Sequence, residues 1–583
     1  MGKFKRAIAV FSAFLLLTAV TACSSKDDEV YGKITEINDT KITVETGTYE
    51  KPSTPDQNSA AGADSTSGSD SQAGDNSNAN SKEPPEKPDG SADNTPPSGE
   101  KPDGDPPSDS SGQGGKPPEN MIGFTSDGGS ATYILSDNID ITNLEEGVLV
   151  KLTLDGDTVT AIETIQQPGD APGENAGSET GDTKTSATFT VNGGEQTSQN
   201  KDYDSETANV SAVLVENKGT LSISGGTLTK SGDTTSSEES NFYGLNAILS
   251  ASGGSKVTLD GTTLTSSSDG SNAIFATGKG SKIVAENFTI YTTGDSARGL
   301  DATYKGTIIA TGGDITTKGS HCAPIATDRG EGTIKVSDTS VSADGDGSPC
   351  IYSTGTITAS NVTGNATGSQ IAVVEGKNSL ALDNCVLQGA GKNGIMLYQS
   401  TSGDAAEGKA SFNATDSTLT TTSKGPMFYV TNTDASATLK NTKLYYSSGV
   451  LVNASGNKTN NWGKAGENGG DFTLTGVSQS LEGSVKCDEI STVALNLTER
   501  SSFKGCINTG NSAKSASVQL DKSSTWTLTD DSYVSAIANK DTTCSNIKSN
   551  GFTIYYDKAN AANKWLDGKT LSLSGGGKLT PAG

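Results

Sequence analysis

The chain has 583 residues, enough for several domains, yet only 31% are hydrophobic and 5% aromatic, too little apolar material for a series of ordinary globular cores. A formal charge of −26 with no basic stripe excludes nucleic acid as a partner, because nothing would neutralise its phosphates. The acidic balance suits an exposed, soluble surface in the extracellular medium.

At the start, Lys3, Lys5 and Arg6 precede an apolar run over residues 7–20, the pattern of a secretion signal and too short for a permanent membrane span. Val20-Thr21-Ala22-Cys23 resembles the bacterial lipobox, which implies that Cys23 carries the lipid and that the protein is anchored on the extracellular face of the cell membrane. Residues 30–45 alternate apolar and polar around Asn38-Asp39, a hairpin pattern, and residues 131–165 carry further short strands. Two strands alone would be unstable, so residues 24–47 and 120–166 are expected to close one small antiparallel β-barrel. The insert between them, residues 48–119, holds 12 of the chain's 18 prolines and twice repeats Glu-Lys-Pro-Asp-Gly, at 86–90 and 100–104. It cannot bury enough apolar surface to fold. Residues 167–185 read as a second flexible link.

From residue 186 to about 580 one phrase recurs, typified by GTIKVSDTSVSA at 332–343. Ile334, Val336 and Val341 stand at i, i+2 and i+7, and the same offsets hold from Leu221, Val257, Ile283, Ile308, Leu380, Phe412 and Ala437. An i, i+2 pair lies on one face of a strand, and the odd step to i+7 demands a bend between two inward-facing strands. Successive phrases begin 23 to 26 residues apart, and each is followed by a third apolar strand such as Cys350-Ile351-Tyr352. This predicts an all-β chain dominated by a right-handed parallel β-helix with three strands per coil. About a dozen coils stacked at about 4.8 Å would make a rod about 60 Å long. The phrase at Ile357 reads as two residues short, with Val362 at i+5. Past Leu444 the pattern loosens, which predicts a changed cross-section or a cap. Long insertions at 231–242, 400–408 and 454–470 fall at turns.

The chemistry offered by the sequence is sparse. The only histidine is His321, and past Cys23 there are three arginines, Arg298, Arg329 and Arg500. Adjacent acidic pairs (Glu238-Glu239, Asp488-Glu489, Asp530-Asp531) are scattered, so no catalytic residue is assigned and His321 is expected in a turn. Asp269, Asp344 and Asp346 lie in corresponding links and supply hard oxygen ligands of the kind calcium takes, although Asp-Gly is equally a turn dipeptide. No other cofactor is indicated. Cys322 and Cys350, each two residues after a serine, would fall within disulfide range if those serines align, and would be separated if the following apolar residues align. Cys487 with Cys506 is a weaker pair, and Cys385 suits a buried position. Tyr291 and Tyr445 follow inward residues and should point outward, where aromatic faces can stack on sugar rings.

The GTLSISGGTLT-like wording over residues 221–444 resembles right-handed β-helix, pectin-lyase-like surface lipoproteins and adhesin-like proteins of Gram-positive anaerobes. The resemblance implies a cell-surface protein without enzymatic activity that adheres or binds a polysaccharide. Asp-Gly-Ile-x-Ala corners with calcium ligands belong to that signature, and this chain keeps fragments at Asp269-Gly270-Ser271-Asn272-Ala273 and Tyr243-Gly244-Leu245-Asn246-Ala247. The alternatives are a polysaccharide lyase or glycoside hydrolase of the same fold, and a purely structural rod.

Overall fold

The computed structural model describes residues 28–38, 40–49, 124–136, 139, 149–164, 184–459 and 461–582. The expected secretion signal with Cys23, nearly all of the proline-rich insert and nearly all of the link at 167–185 lie outside them. The chain divides into two compact units, Met1–Gln167 and Pro168–Gly583.

In the first unit five strands, β1 (Asp28–Asn38), β2 (Lys41–Tyr49), β3 (Phe124–Leu135), β4 (Leu149–Asp155) and β5 (Thr158–Thr164), close a barrel in the order β1-β2-β3-β5-β4. The alternation of residues 30–45 is what makes it: Ile34 pairs with Val44 across the hairpin and both face a core with Ile42, Leu135, Val150, Leu152, Leu154 and Val159. The barrel is antiparallel except for one short parallel contact of β3 with β5, at Ile134 with Thr158 and Leu135 with Val159.

The second unit is a long parallel β-helix with sheets of 14, 10 and 15 strands. The i and i+2 residues of each phrase form the first sheet, the i+7 residue the second, and the trailing strand the third. Ile308, Ile334, Ile357 and Leu380 stand in register, as do Ile315, Val341, Gly364 and Leu387. Each inward column is therefore a stack of like apolar groups, one per coil, buried on all sides. The 15-stranded sheet exceeds the dozen coils expected, because phrases past Leu444 continue the stack without the original wording.

The odd step has a structural cause at i+4. Asn287, Asp338, Asn361, Asn384, Asp416 and Asn441 all hold φ between 48° and 54°, and Gly225, Gly261 and Gly312 take the same place in other coils. Asn, Asp and Gly are the residues that enter the left-handed region cheaply. Their side chains also link coil to coil: Asn361 Nδ2 donates to Asp338 Oδ1 and Asn384 Nδ2 to Asn361 Oδ1, both at 2.8 Å. The phrase at Ile357 is not shortened. Gly364 fills its i+7 place, where a Cβ would come within 2.6 Å of Val341 and 2.8 Å of Leu387, and Val362 supplies the corner core that Phe288 and Cys385 supply elsewhere.

The second sheet ends at Lys443–Tyr445. Beyond it the first and third sheets lengthen their strands, as in Gly470–Val477 and Ser480–Cys487, and a four-stranded sheet that includes Thr553–Tyr556 and Lys578–Pro581 completes the chain. The loosened pattern is thus a real change of cross-section.

A candidate binding cleft over the third sheet

Outward residues of the first two sheets mostly meet solvent, whereas those in the middle coils of the third are covered. Phe275, Asp301, Val373, Glu375 and Met396 all point away from the core and are buried nonetheless. The three insertions do the covering. Residues 231–242 lead into a short helix, Ser237–Tyr243, whose N-cap Ser236 accepts from Glu239 N (3.2 Å) and whose C-terminus turns at Gly244. Its Phe242 carbonyl accepts from Thr303 Oγ1 (2.9 Å), and Tyr243 stacks on Tyr304 with ring centroids 5.4 Å apart. The second insertion brings Asp404 to Arg329 (2.8 Å), and the third lays Trp462 against Tyr398 at 4.9 Å.

Between these covers lies a cleft of about 420 Å³, lined by Arg298, His321, Asp328, Tyr352, Gln370, Val373, Met396, Tyr398, Asp404 and Trp462 among others. Its size, aromatic walls and few convergent polar groups are those of a small-molecule or oligomer subsite. Two buried polar networks support it. In one, the Arg298 guanidinium bridges Asp328 (2.9 Å) and Asp301 (3.4 Å). Burial alone would lower the arginine, but Asp328 and then Asp301 more than offset it and hold it charged. Burial lifts Asp328 to about 6 against the pull of Arg298, and drives the fully enclosed Asp301 well above the carboxylate range. Two carboxyls share one cation, and only Asp328 lines the cleft. In the other network, Tyr352 Oη (2.5 Å) and Tyr398 Oη (2.8 Å) both donate to Glu375 Oε2, while Ser400 N donates to Oε1 (3.1 Å) and the Ser400 hydroxyl donates to the same oxygen. Burial first pushes both phenols up, followed by Tyr398 and then Glu375 for Tyr352 and by Glu375 for Tyr398, so they remain donors.

Of the residues named from sequence, Arg298 and His321 line the cleft, whereas the candidate ligand, metal and disulfide residues fall elsewhere. His321 sits in a turn at φ 57°, its N–H donating to the Asp346 carbonyl (2.9 Å), and its ring lines the cleft. Tyr291 and Tyr445 do project outward, 42% and 54% exposed, on the second sheet. They occupy one ladder, Tyr291-Thr316-Ser342-Asn365-Gln388-Thr420-Tyr445, six steps or about 29 Å apart, and so do not form a shared aromatic platform. Asp269 is a turn builder: its Oδ1 accepts from Asp295 N (2.8 Å), and its own N–H donates to Asp233 Oδ1 (3.1 Å). Asp344 pairs with Lys318 at 3.7 Å. Among the described residues no group of three or more His, Cys, Asp and Glu side chains is arranged to hold a metal ion.

Cys322 and Cys350 are both free thiols, which corrects their candidate disulfide. Register follows the apolar residues, Ile325 beside Ile351, so Cys322 N donates to Ser348 Oγ (2.9 Å) while the Cys350 sulfur lies 3.5 Å from the Gln388 carbonyl. Burial lifts the two thiols to about 11 and about 12, so neither is poised as a thiolate. Cys487 and Cys506 are also unpaired, and Cys385 is buried.

Sequence neighbours gave no sign of the Arg298 triad, because Asp301 and Asp328 come from successive turns of the third sheet, with Glu375 two turns further on. Stacking the trailing strands Leu300-Asp301-Ala302 and Ala326-Thr327-Asp328 exposes the pair. Comparison with family models, curated proteins and solved structures finds no match to this chain.

Proposed function

We propose that this chain is a surface-tethered β-helix protein that binds a polysaccharide, and that the cleft over the third sheet is its glycan site. The observation that carries the reading is the pairing of Tyr398 and Trp462 ring faces with Arg298, Asp328 and Gln370 in one cleft. Sugar rings stack on such faces while their hydroxyls meet the polar groups. The tyrosines of the second sheet are too far apart to do this together, which moves the site from the outer ladder to the covered face. Repetition of weak contacts along a chain of sugars would raise affinity through multivalency.

Titration of a panel of neutral and acidic oligosaccharides by calorimetry tests the reading. Binding is expected, and Trp462→Ala should weaken it by about tenfold, the value of one lost aromatic contact of about 1.5 kcal/mol. Affinity unchanged in that variant would move the site away from the cleft. Release of reducing ends during the titration, lost in Asp328→Asn, would turn the reading to glycoside hydrolysis, because a carboxyl near 6 that opens on the cleft can donate a proton. Heat from no glycan would leave a structural rod or a protein-binding adhesin.

The tether is proposed to be a lipid on Cys23, on the strength of Val20-Thr21-Ala22-Cys23 after an apolar run. Cys23→Ser should move the protein from the membrane fraction to the medium. Undiminished membrane retention would rule the tether out.

A further inference from the structure

We infer that the glycan taken by this cleft carries protonated amino groups, an inference that rests on the reading above and narrows it to amino-sugar polymers. The charge inventory comes first. Two carboxyl groups, Asp328 and Asp404, line the cleft, Glu238 stands on its cover, and Asp301 and Glu375 lie buried behind it, against the guanidiniums of Arg298 and Arg329. Both guanidiniums are already bound: Arg298 to Asp301 and Asp328, and Arg329 to Asp404 (2.8 Å) and Glu238 (3.8 Å). Arg329 also lies 3.9 Å over the Phe242 ring. A uronate entering the cleft would find neither guanidinium unpaired and the carboxyls of Asp328 and Asp404 facing it.

Glu375 is different from the other four. Among the described residues no cation pairs with it, and its oxygens are held by the hydroxyls of Tyr352 and Tyr398 and by Ser400. Those two tyrosines line the cleft together with Trp462, so Glu375 lies buried directly behind an aromatic wall of the cleft as a carboxyl group with no cation of its own. An ammonium group is attracted by ring faces and by carboxylate alike, and desolvation in a cleft strengthens both terms. The chain's formal charge of −26 adds a long-range field that concentrates cations at the surface and is weakened by salt. An N-acetylated sugar keeps the stacking and loses the charge. The free amine is therefore the feature this cleft discriminates.

The experiment titrates the full-length protein with a glucosamine hexamer and with an N-acetylglucosamine hexamer, at a pH where the amines are protonated. The amine form is expected to bind at least about tenfold more tightly at low salt, with the advantage shrinking as salt is added. Glu375→Gln should reduce the advantage. Asp404→Asn, a change at a partly exposed position that leaves the sheet untouched, should do so too if Glu375→Gln fails to fold. Equal or tighter binding of the N-acetylated hexamer would overturn the inference while leaving glycan binding intact. A preference for the amine form that survives high salt and both variants would overturn it as well. Oligolysine binding as tightly as the amine hexamer would replace the glycan by a basic peptide, and binding of neither hexamer nor any uncharged glycan would overturn the glycan site itself.

Discussion

Val336→Asp is expected to destabilise the solenoid by about 4–5 kcal/mol, the range reached when a charge is buried without a partner. Val336 is almost fully enclosed, with Ala310 and Ala359 in the same column of the coils on either side. Neither neighbour can pair with a carboxylate. Because each coil contacts only its neighbours, the damage should be local and should split a single unfolding transition into two. Asp338→Asn, two residues later at the corner, is the control: Asn tolerates φ 51° as well as Asp does, and its side-chain oxygen can still accept from Asn361 Nδ2. Its cost should stay within about 0.5 kcal/mol. Urea unfolding of the two variants side by side decides the matter, and equal midpoints would mean that the inward column has been assigned to the wrong residues.

Arg298→Met is expected to cost about 3–5 kcal/mol at neutral pH, since removing one member of a buried ionic group strands the others. Asp328 and Asp301 would lose their only cation in the triad. The cost should depend on pH in a defined direction. Both carboxyls titrate above their unfolded value, Asp328 at about 6 and Asp301 well above the ordinary carboxylate value because of its burial, so the folded state holds protons that the unfolded chain has released. Stability from such groups is fully present below the unfolded carboxyl range and is lost as pH rises through about 6. Without Arg298 both values rise further, and the difference between wild type and variant should be small near pH 4, where the carboxyls are neutral, and widen toward pH 8. Asp301→Asn should cost less than Arg298→Met, because burial already disfavours the charged form of this carboxyl and the amide oxygen can still accept from Arg298. Thermal melts across this pH range check all three statements. A gap between wild type and Arg298→Met that narrows toward alkaline pH would contradict the account of the triad.

The coil was legible in the sequence because its cause is periodic. Offsets such as Ile334, Val336, Val341 repeat at 23 to 26 residues, and an inward column admits only apolar groups. The corner residues were equally periodic, with Gly261, Asn287, Gly312, Asp338 and Asn361 each four places into its phrase, but their meaning lies in backbone conformation and not in hydropathy. The cleft was the hardest to read. Its lining residues Arg298, Asp328, Tyr352 and Tyr398, and Glu375 behind them, come from successive coils, while Asp404 and Trp462 come from insertions whose length varies and whose direction no periodicity fixes. Likewise, whether Cys322 faced Cys350 or Ser348 depended on a two-residue choice of register that only the pairing of Ile325 with Ile351 resolves.

The most direct test of the cleft as the binding site is amide hydrogen exchange on the full-length protein with and without a bound oligosaccharide. Protection is expected in the segments that form the cleft, around Phe242, His321, Tyr352, Tyr398 and Trp462, with the outer face of the second sheet unchanged. Protection centred instead on the ladder from Tyr291 to Tyr445, with the cleft unaffected, would contradict it.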